Sequence, residues 1–179
     1  MPNYRRALHE GGIYFFTVNL LQRKDNDLLV RHINHLRDAI KQVRQQYPFK
    51  IHAFVVLPDH LHCVIELPLG DSDFAIRWRR IKSIFSKSIP RFEDLSIIRL
   101  QRGERGIWQR RFWEHLIRDE YDYIAHMDYV HINPLKHGLV QRVIDWPYST
   151  FHALVERGVY PKDWAGGEEE VLEYEDRFY

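Results

Sequence analysis

Two apolar runs of strand length, Ile51-His52-Ala53-Phe54-Val55-Val56 and Leu61-His62-Cys63-Val64-Ile65-Glu66-Leu67, stand on either side of Leu57-Pro58-Asp59-His60. Proline presets a turn torsion and aspartate bonds back to its own backbone, so the pattern predicts a β-hairpin. Side chains alternate between the faces of a strand, so Leu61, Cys63, Ile65 and Leu67 enter a core while His60 and His62 project together from the other face. Two neutral imidazoles at this spacing can share a divalent cation. Taken alone, His-x-His more often describes two polar residues on a solvated sheet face, because two ligands do not make a site.

The flanking chain predicts what the hairpin packs against. Ile13-Tyr14-Phe15-Phe16-Thr17-Val18-Asn19-Leu20 is aromatic and β-branched, a strand buried on both faces. Leu29, Ile33, Leu36, Ile40 and Val43 recur at three- and four-residue spacings, so one amphipathic helix runs to about Gln46. Ser72 and Asp73 offer caps for a helix from Phe74 to Ser88, with Phe74, Trp78, Ile81 and Phe85 as its apolar stripe. Residues 107–117 read as a fourth strand, Asp119 or Glu120 opens a third long helix to about Ile132, and a short helix follows over 149–157. The order through the fourth strand is strand, helix, strand, strand, helix, strand. At 179 residues the chain suits one domain, taken as 1–160, and a tail, 161–179. Its single cysteine, Cys63, excludes an intramolecular disulfide, and Gly12–Leu21 is too short to span a bilayer, so a cytoplasmic setting is expected.

The net charge of +1 hides an asymmetry. From Arg77 to Arg118 there are twelve Lys or Arg against four acids, while Asp163 to Asp176 holds seven acids and no base. A basic body with an acidic appendage is the footprint of a polyanion binder, although solvated faces can carry the same charges.

Along the third long helix, Tyr129 and Asn133 lie four residues apart and share a face, and Pro134 places Asn133 in the last turn. A phenol can attack phosphorus to form a covalent intermediate, and a carboxamide oxygen can serve as a third metal ligand. Tyr121 and Tyr123 compete for the nucleophile's role. Tyr123 is followed four residues later by Met127, a poor ligand for a hard cation, which favours Tyr129.

His60-Leu61-His62 resembles the HUH motif, and Tyr129-Val-His-Ile-Asn133-Pro-Leu-Lys-His-Gly resembles the tyrosine helix of single-tyrosine HUH transposases. With Phe15-Phe16-Thr17-Val18, Val56-Leu57-Pro58-Asp59, Arg77-Trp78-Arg79, Trp108-Gln109-Arg110-Arg111-Phe112-Trp113-Glu114-His115 and Asp145-Trp146-Pro147-Tyr148-Ser149, the resemblance from about Tyr4 to Trp164 is to REP-associated tyrosine transposases. Related insertion-sequence transposases carry glutamine four residues after the tyrosine; Asn133 here is similar to the REP-associated members.

The resemblance implies a ferredoxin-like α+β fold, an antiparallel sheet with helices on one face and an added tyrosine-bearing helix. It also implies a nucleoid-associated enzyme of DNA recombination and transposition. His60, His62 and Asn133 would hold Mg²⁺ or Mn²⁺, and Tyr129 would cut single-stranded repetitive extragenic palindromic (REP) hairpins through a 5′-phosphotyrosine, then transfer the strand. Arg5, Arg6, Arg77, Arg80, Lys82, Arg110 and Arg111 are the candidate DNA contacts, with Trp108 as a stacking surface and Trp78 more a packing residue. The acidic tail is expected to shield that basic surface. A monomer is expected, a dimer being the alternative. Two other readings stay open: a module that binds hairpins without cutting them, and a phosphodiesterase that uses water.

Overall fold

The computed structural model describes residues 8–92, 97, 101–103 and 105–167. Arg5, Arg6 and the acidic stretch from Glu168, with the expectations placed on them, lie outside the described residues.

Four strands, β1 (Ile13–Asn19), β2 (Lys50–Val56), β3 (His60–Glu66) and β4 (Trp113–Leu116), form one antiparallel sheet in the order β2-β3-β1-β4. This is the ferredoxin-like order, in which the first and third strands occupy the centre. Helices α1 (Leu28–Arg31) and α2 (Ile33–Gln46) connect β1 to β2, and α3 (Phe74–Ser88) connects β3 to β4. The tyrosine helix α4 (Glu120–Lys136), a 3₁₀ turn (Val143–Asp145) and α5 (Phe151–Glu156) follow.

Alternation in the central strands divides the interior into two cores. Tyr14, Phe16 and Val18 of β1 and Leu61, Cys63 and Ile65 of β3 join Leu36, Trp78, Ile81 and Phe85 under α2 and α3. Phe15 of β1 and Val64 of β3 belong to the opposite core with Ala125, Tyr129, Val130 and Ile132 of α4. The face that carries His60 and His62 is therefore covered, not solvated. Segment 148–150 closes the outer edge of β2, where Val56 N–H donates to Tyr148 O and Thr150 N–H to Phe54 O, both at 2.9 Å. Pairing that edge removes an open template for aggregation.

Three predicted elements change in form. The single helix expected over 29–46 breaks at His32 (φ −112°, ψ 33°), where the backbone leaves helical geometry between α1 and α2. The fourth strand is ladder-paired only over Trp113–Leu116, the 107–112 stretch adding an isolated Leu20–Trp108 bridge and the packing of Phe112 on Phe16. The tyrosine helix passes through Pro134 to Lys136. Gly138 (φ 67°) stops it in a Schellman arrangement, with Gly138 N–H donating to Leu135 O and Leu139 N–H to Pro134 O. Beyond the expected boundary at residue 160, Trp164 still packs on Tyr160, with ring centroids 4.8 Å apart.

Candidate active site and nucleic-acid surface

His60 opens β3 directly after the Pro58-Asp59 turn, and His62 sits two residues on, opposite Thr17 of β1. Their rings lie 4.9 Å apart at 86° and are almost fully buried. Each Nδ1 is engaged by a neighbour, His60 with Asp59 Oδ1 at 2.6 Å and His62 with Thr17 Oγ1 at 2.8 Å. A carboxylate can only accept, so the short Asp59 contact makes His60 Nδ1–H the donor over the longer, 3.3 Å approach of Arg23 Nη2, which leaves Nε2 to coordinate; the Thr17 contact holds the orientation of the second ring. Burial alone would raise the Asp59 carboxyl, but hydrogen bonds from His60 and from Arg23 (Nε to Oδ2, 2.7 Å) hold it down at about 2. Asp59 is thus a fixed anion behind His60. Burial first, then nearby His60, His137, Arg23 and Lys136, push His62 well below the usual histidine range. A ring so placed is neutral near pH 7, the form that can bind a metal.

Across the cleft, α4 begins on the Asp119 cap, whose side chain accepts from Asp122 N–H at 2.9 Å. Two turns on, the Tyr129 ring meets His62 (5.2 Å, 77°) and Phe15 (5.6 Å, 80°), with Lys136 Nζ 5.2 Å from its centroid. One turn later Asn133 donates its carboxamide nitrogen to Tyr129 O at 2.8 Å. That commitment leaves Oδ1 as the group the side chain can offer to a cation. His60, His62, Tyr129 and Asn133 line a single cleft of about 290 Å³ with Arg23, Lys136 and His137. Two imidazole nitrogens and a neutral oxygen around a solvent-accessible space suit one divalent ion, with room for a phosphate oxygen.

Tyr123 is placed elsewhere. Its hydroxyl hydrogen-bonds His52 Nδ1 at 2.8 Å beside a different pocket, and burial, with the Glu66 charge, raises its pKa. A bulge between Ile51 and Ala53 turns His52 to that side. Tyr121 is 53% exposed on the surface of α4. Neither competes with Tyr129 for the histidine cleft.

The proposed DNA contacts divide. Arg80, Arg110 and Arg111 are exposed, and Lys82 donates to Gln109 O at 2.9 Å while lying 5.3 Å from the Phe112 ring centroid. Lys82 and Arg110, with Arg79 and Trp108, line a groove of about 540 Å³. The 107–109 loop binds the end of β1, through Leu21 N–H to Ile107 O and Gln109 N–H to Asn19 O, so the groove lies near the sheet end that carries His60. Arg77 is a correction. It is 1% exposed, and its guanidinium donates to Asp73 O, Pro48 O and Asp71 Oδ2 at 2.7–2.8 Å. An arginine spent on these internal acceptors has no donor face for DNA. Trp78 is likewise a core residue, edge-on to Phe16 at 5.5 Å.

Sequence reasoning missed Arg23, Asp59, Lys136 and His137. Asp59, Lys136 and His137 stand within the motifs that carry the resemblance, but nothing in their spacing assigns them a role, and Arg23 has no such signal. It also missed His115, Asp122 and His126, whose donor atoms lie within 4.8 Å of one another and could hold a metal ion. The Asp122 carboxylate already accepts from His115 Nε2 and Arg118 N–H, both at 2.9 Å, which ties the end of β4 to the first turn of α4.

On one face of the ferredoxin-like sheet the His-x-His pair of β3 meets the tyrosine helix, the arrangement that the resemblance to single-tyrosine HUH transposases implies. No family model matches the chain. It is 50% identical over 166 residues to the REP-associated tyrosine transposase of Escherichia coli (strain K12), covering 93% of this chain and 92% of that protein. A Haemophilus influenzae protein is 47% identical over 167 residues, covering 93% and 94%. A solved REP-associated tyrosine transposase, bound to a REP hairpin, matches with a TM-score of 0.82 and 49% identity over 94% of this chain and 93% of the other. The chain belongs to the REP-associated tyrosine transposase family.

Proposed function

We propose that this protein is a metal-dependent endonuclease and strand transferase of single-stranded DNA, acting on REP-like hairpins through a 5′-phosphotyrosine intermediate. The observation that carries the reading is the convergence of Tyr129 and Asn133 of α4 with His60 and His62 of β3 on one cleft. The hairpin substrate is drawn from the relative of 49% identity, which is solved with a REP hairpin bound.

His60, His62 and Asn133 would hold Mg²⁺ or Mn²⁺, which when bound supplies Lewis-acid polarisation of a non-bridging phosphate oxygen. Tyr129 Oη attacks the scissile phosphorus; the P–O3′ bond breaks, and the 3′-oxygen leaves as a hydroxyl. The phosphodiester is conserved as a tyrosyl ester, so a 3′-hydroxyl of another strand can reverse the step without a nucleotide cofactor. Lys136 and Arg23 place positive charge at the cleft where the phosphate must sit. Arg80, Lys82, Arg110 and Arg111, with Arg5 and Arg6, are proposed to hold the DNA backbone, and Trp108 to offer a stacking face. The protein acts as a monomer in this scheme.

The test is incubation of wild type and Tyr129→Phe with end-labelled hairpin DNA and Mn²⁺, read by denaturing gel and intact mass. The expected result is a covalent protein–DNA adduct in the wild type that is absent from the variant. Cleavage surviving in the variant would replace the tyrosine by water, and binding without cleavage by either protein would make the chain a hairpin-binding module.

A further inference from the structure

We infer that His137 supplies a third imidazole to the divalent cation of this cleft; the inference rests on the metal-dependent reading above. Tyr129, Asn133 and His137 follow one another at intervals of four, which sets nucleophile, carboxamide and imidazole along one side of α4. The stripe reaches His137 because the helix passes Pro134. His137 is the C-cap (φ −81°, ψ 2°), and its N–H still donates to Asn133 O at 2.9 Å. Its ring lies 5.2 Å from that of His60 at 73° and lines the same cleft as His62 and Asn133. Three imidazoles thus come from two elements to one space.

Among the described residues the lining of the cleft contains no carboxylate, and the neighbouring Asp59 is turned to His60 Nδ1 and Arg23. Mg²⁺ demands hard oxygen ligands and gives up water reluctantly, whereas Mn²⁺, which also takes oxygen ligands, stands in the first-row series that binds nitrogen donors. A third imidazole therefore raises affinity for Mn²⁺ more than for Mg²⁺. A structural role as a helix cap would instead affect both ions alike, or neither.

The experiment uses the full chain without DNA. Mn²⁺ binding to wild type, His137→Ala, His137→Asn and the control Tyr121→Phe is titrated by the loss of the free-ion EPR signal, repeated against competing Mg²⁺. The imidazole nitrogens coupled to bound Mn²⁺ are counted by pulsed EPR, and circular dichroism checks each fold. Expected are about tenfold weaker Mn²⁺ binding in both His137 variants, a smaller change for Mg²⁺, a fall from three coupled imidazoles to two, and wild-type behaviour in Tyr121→Phe, whose ring is exposed outside the cleft. Two imidazoles in the wild type, with unchanged affinity in both His137 variants, would overturn the assignment and leave the proposed reaction standing. A wild type that binds no Mn²⁺ would remove the metal-dependent reading itself, and this inference with it.

Discussion

Arg77 shows how a residue type misleads when its surroundings are unknown. In the sequence it reads as one of the cations that α3 carries outside its apolar stripe, like Arg80 and Lys82, yet its guanidinium is buried against Asp71, Asp73 and Pro48, where it ties the start of α3 to the chain before β2. Arg77→Met should lower unfolding stability by about 3 kcal/mol, since it strips a charged donor from buried acceptors, with hairpin affinity of the folded protein unchanged; chemical denaturation and a binding titration check the two halves. His131, between Tyr129 and Asn133, turns the other way, into the core beside Phe151 and Tyr160, with Nε2 3.0 Å from Thr150 Oγ1. Burial lowers its pKa to about 4. The unfolded chain takes up this proton first as pH falls, so the stability it contributes is complete above about 6.5 and is lost on the way down to about 4, on the order of 3 kcal/mol in all. Wild-type stability should therefore fall relative to His131→Asn across that window, as measured by denaturant titration at each pH.

At the scale of elements, the tyrosine helix carries the lesson. Proline 134 marks a helix stop by rule, because it lacks an N–H and crowds the preceding turn. In place, Pro134 is buried within the last turn, and the stop is Gly138, the position with a left-handed torsion. A Cβ at Gly138 would meet nothing within 4 Å, so Gly138→Ala tests the torsion alone. It should cost about 1 kcal/mol, seen as a lower denaturation midpoint. The strands were legible in outline because alternation and β-branching are local. The length of β4 was not, since Trp108 to Phe112 has strand-like composition but no continuous neighbour to pair with. The break at His32 was hidden for a similar reason: Leu28 and Leu29 are buried at the hairpin turn, with Leu29 N–H bonded to Pro58 O, and that contact is remote in sequence.

For the molecule as a whole, β1 and β3 at the centre of the sheet divide two cores, and the cleft opens where β3 starts and α4 ends. The exposed cations sit on the loop before β4 and on α3, near that same end of the sheet. Each of Arg110→Ala and Arg111→Ala should weaken hairpin binding irrespective of sequence and reduce the slope of log affinity against log salt by about 1, as phosphate contacts do; a salt series of binding titrations reads both. No described helix is long and apolar enough to cross a membrane. What the sequence determined by itself was whatever depends on near neighbours: the hairpin around Pro58-Asp59, the shared face of His60 and His62, the pairing of Tyr129 with Asn133, and the capped start of α3. Only the tertiary structure decided that Tyr129 and not Tyr123 lies against the histidines, that Arg77 turns inward, and that Arg23 and His137 join the cleft. Those outcomes depend on which surfaces the packed sheet leaves uncovered, and periodicity along a chain carries no information about what lies across a core.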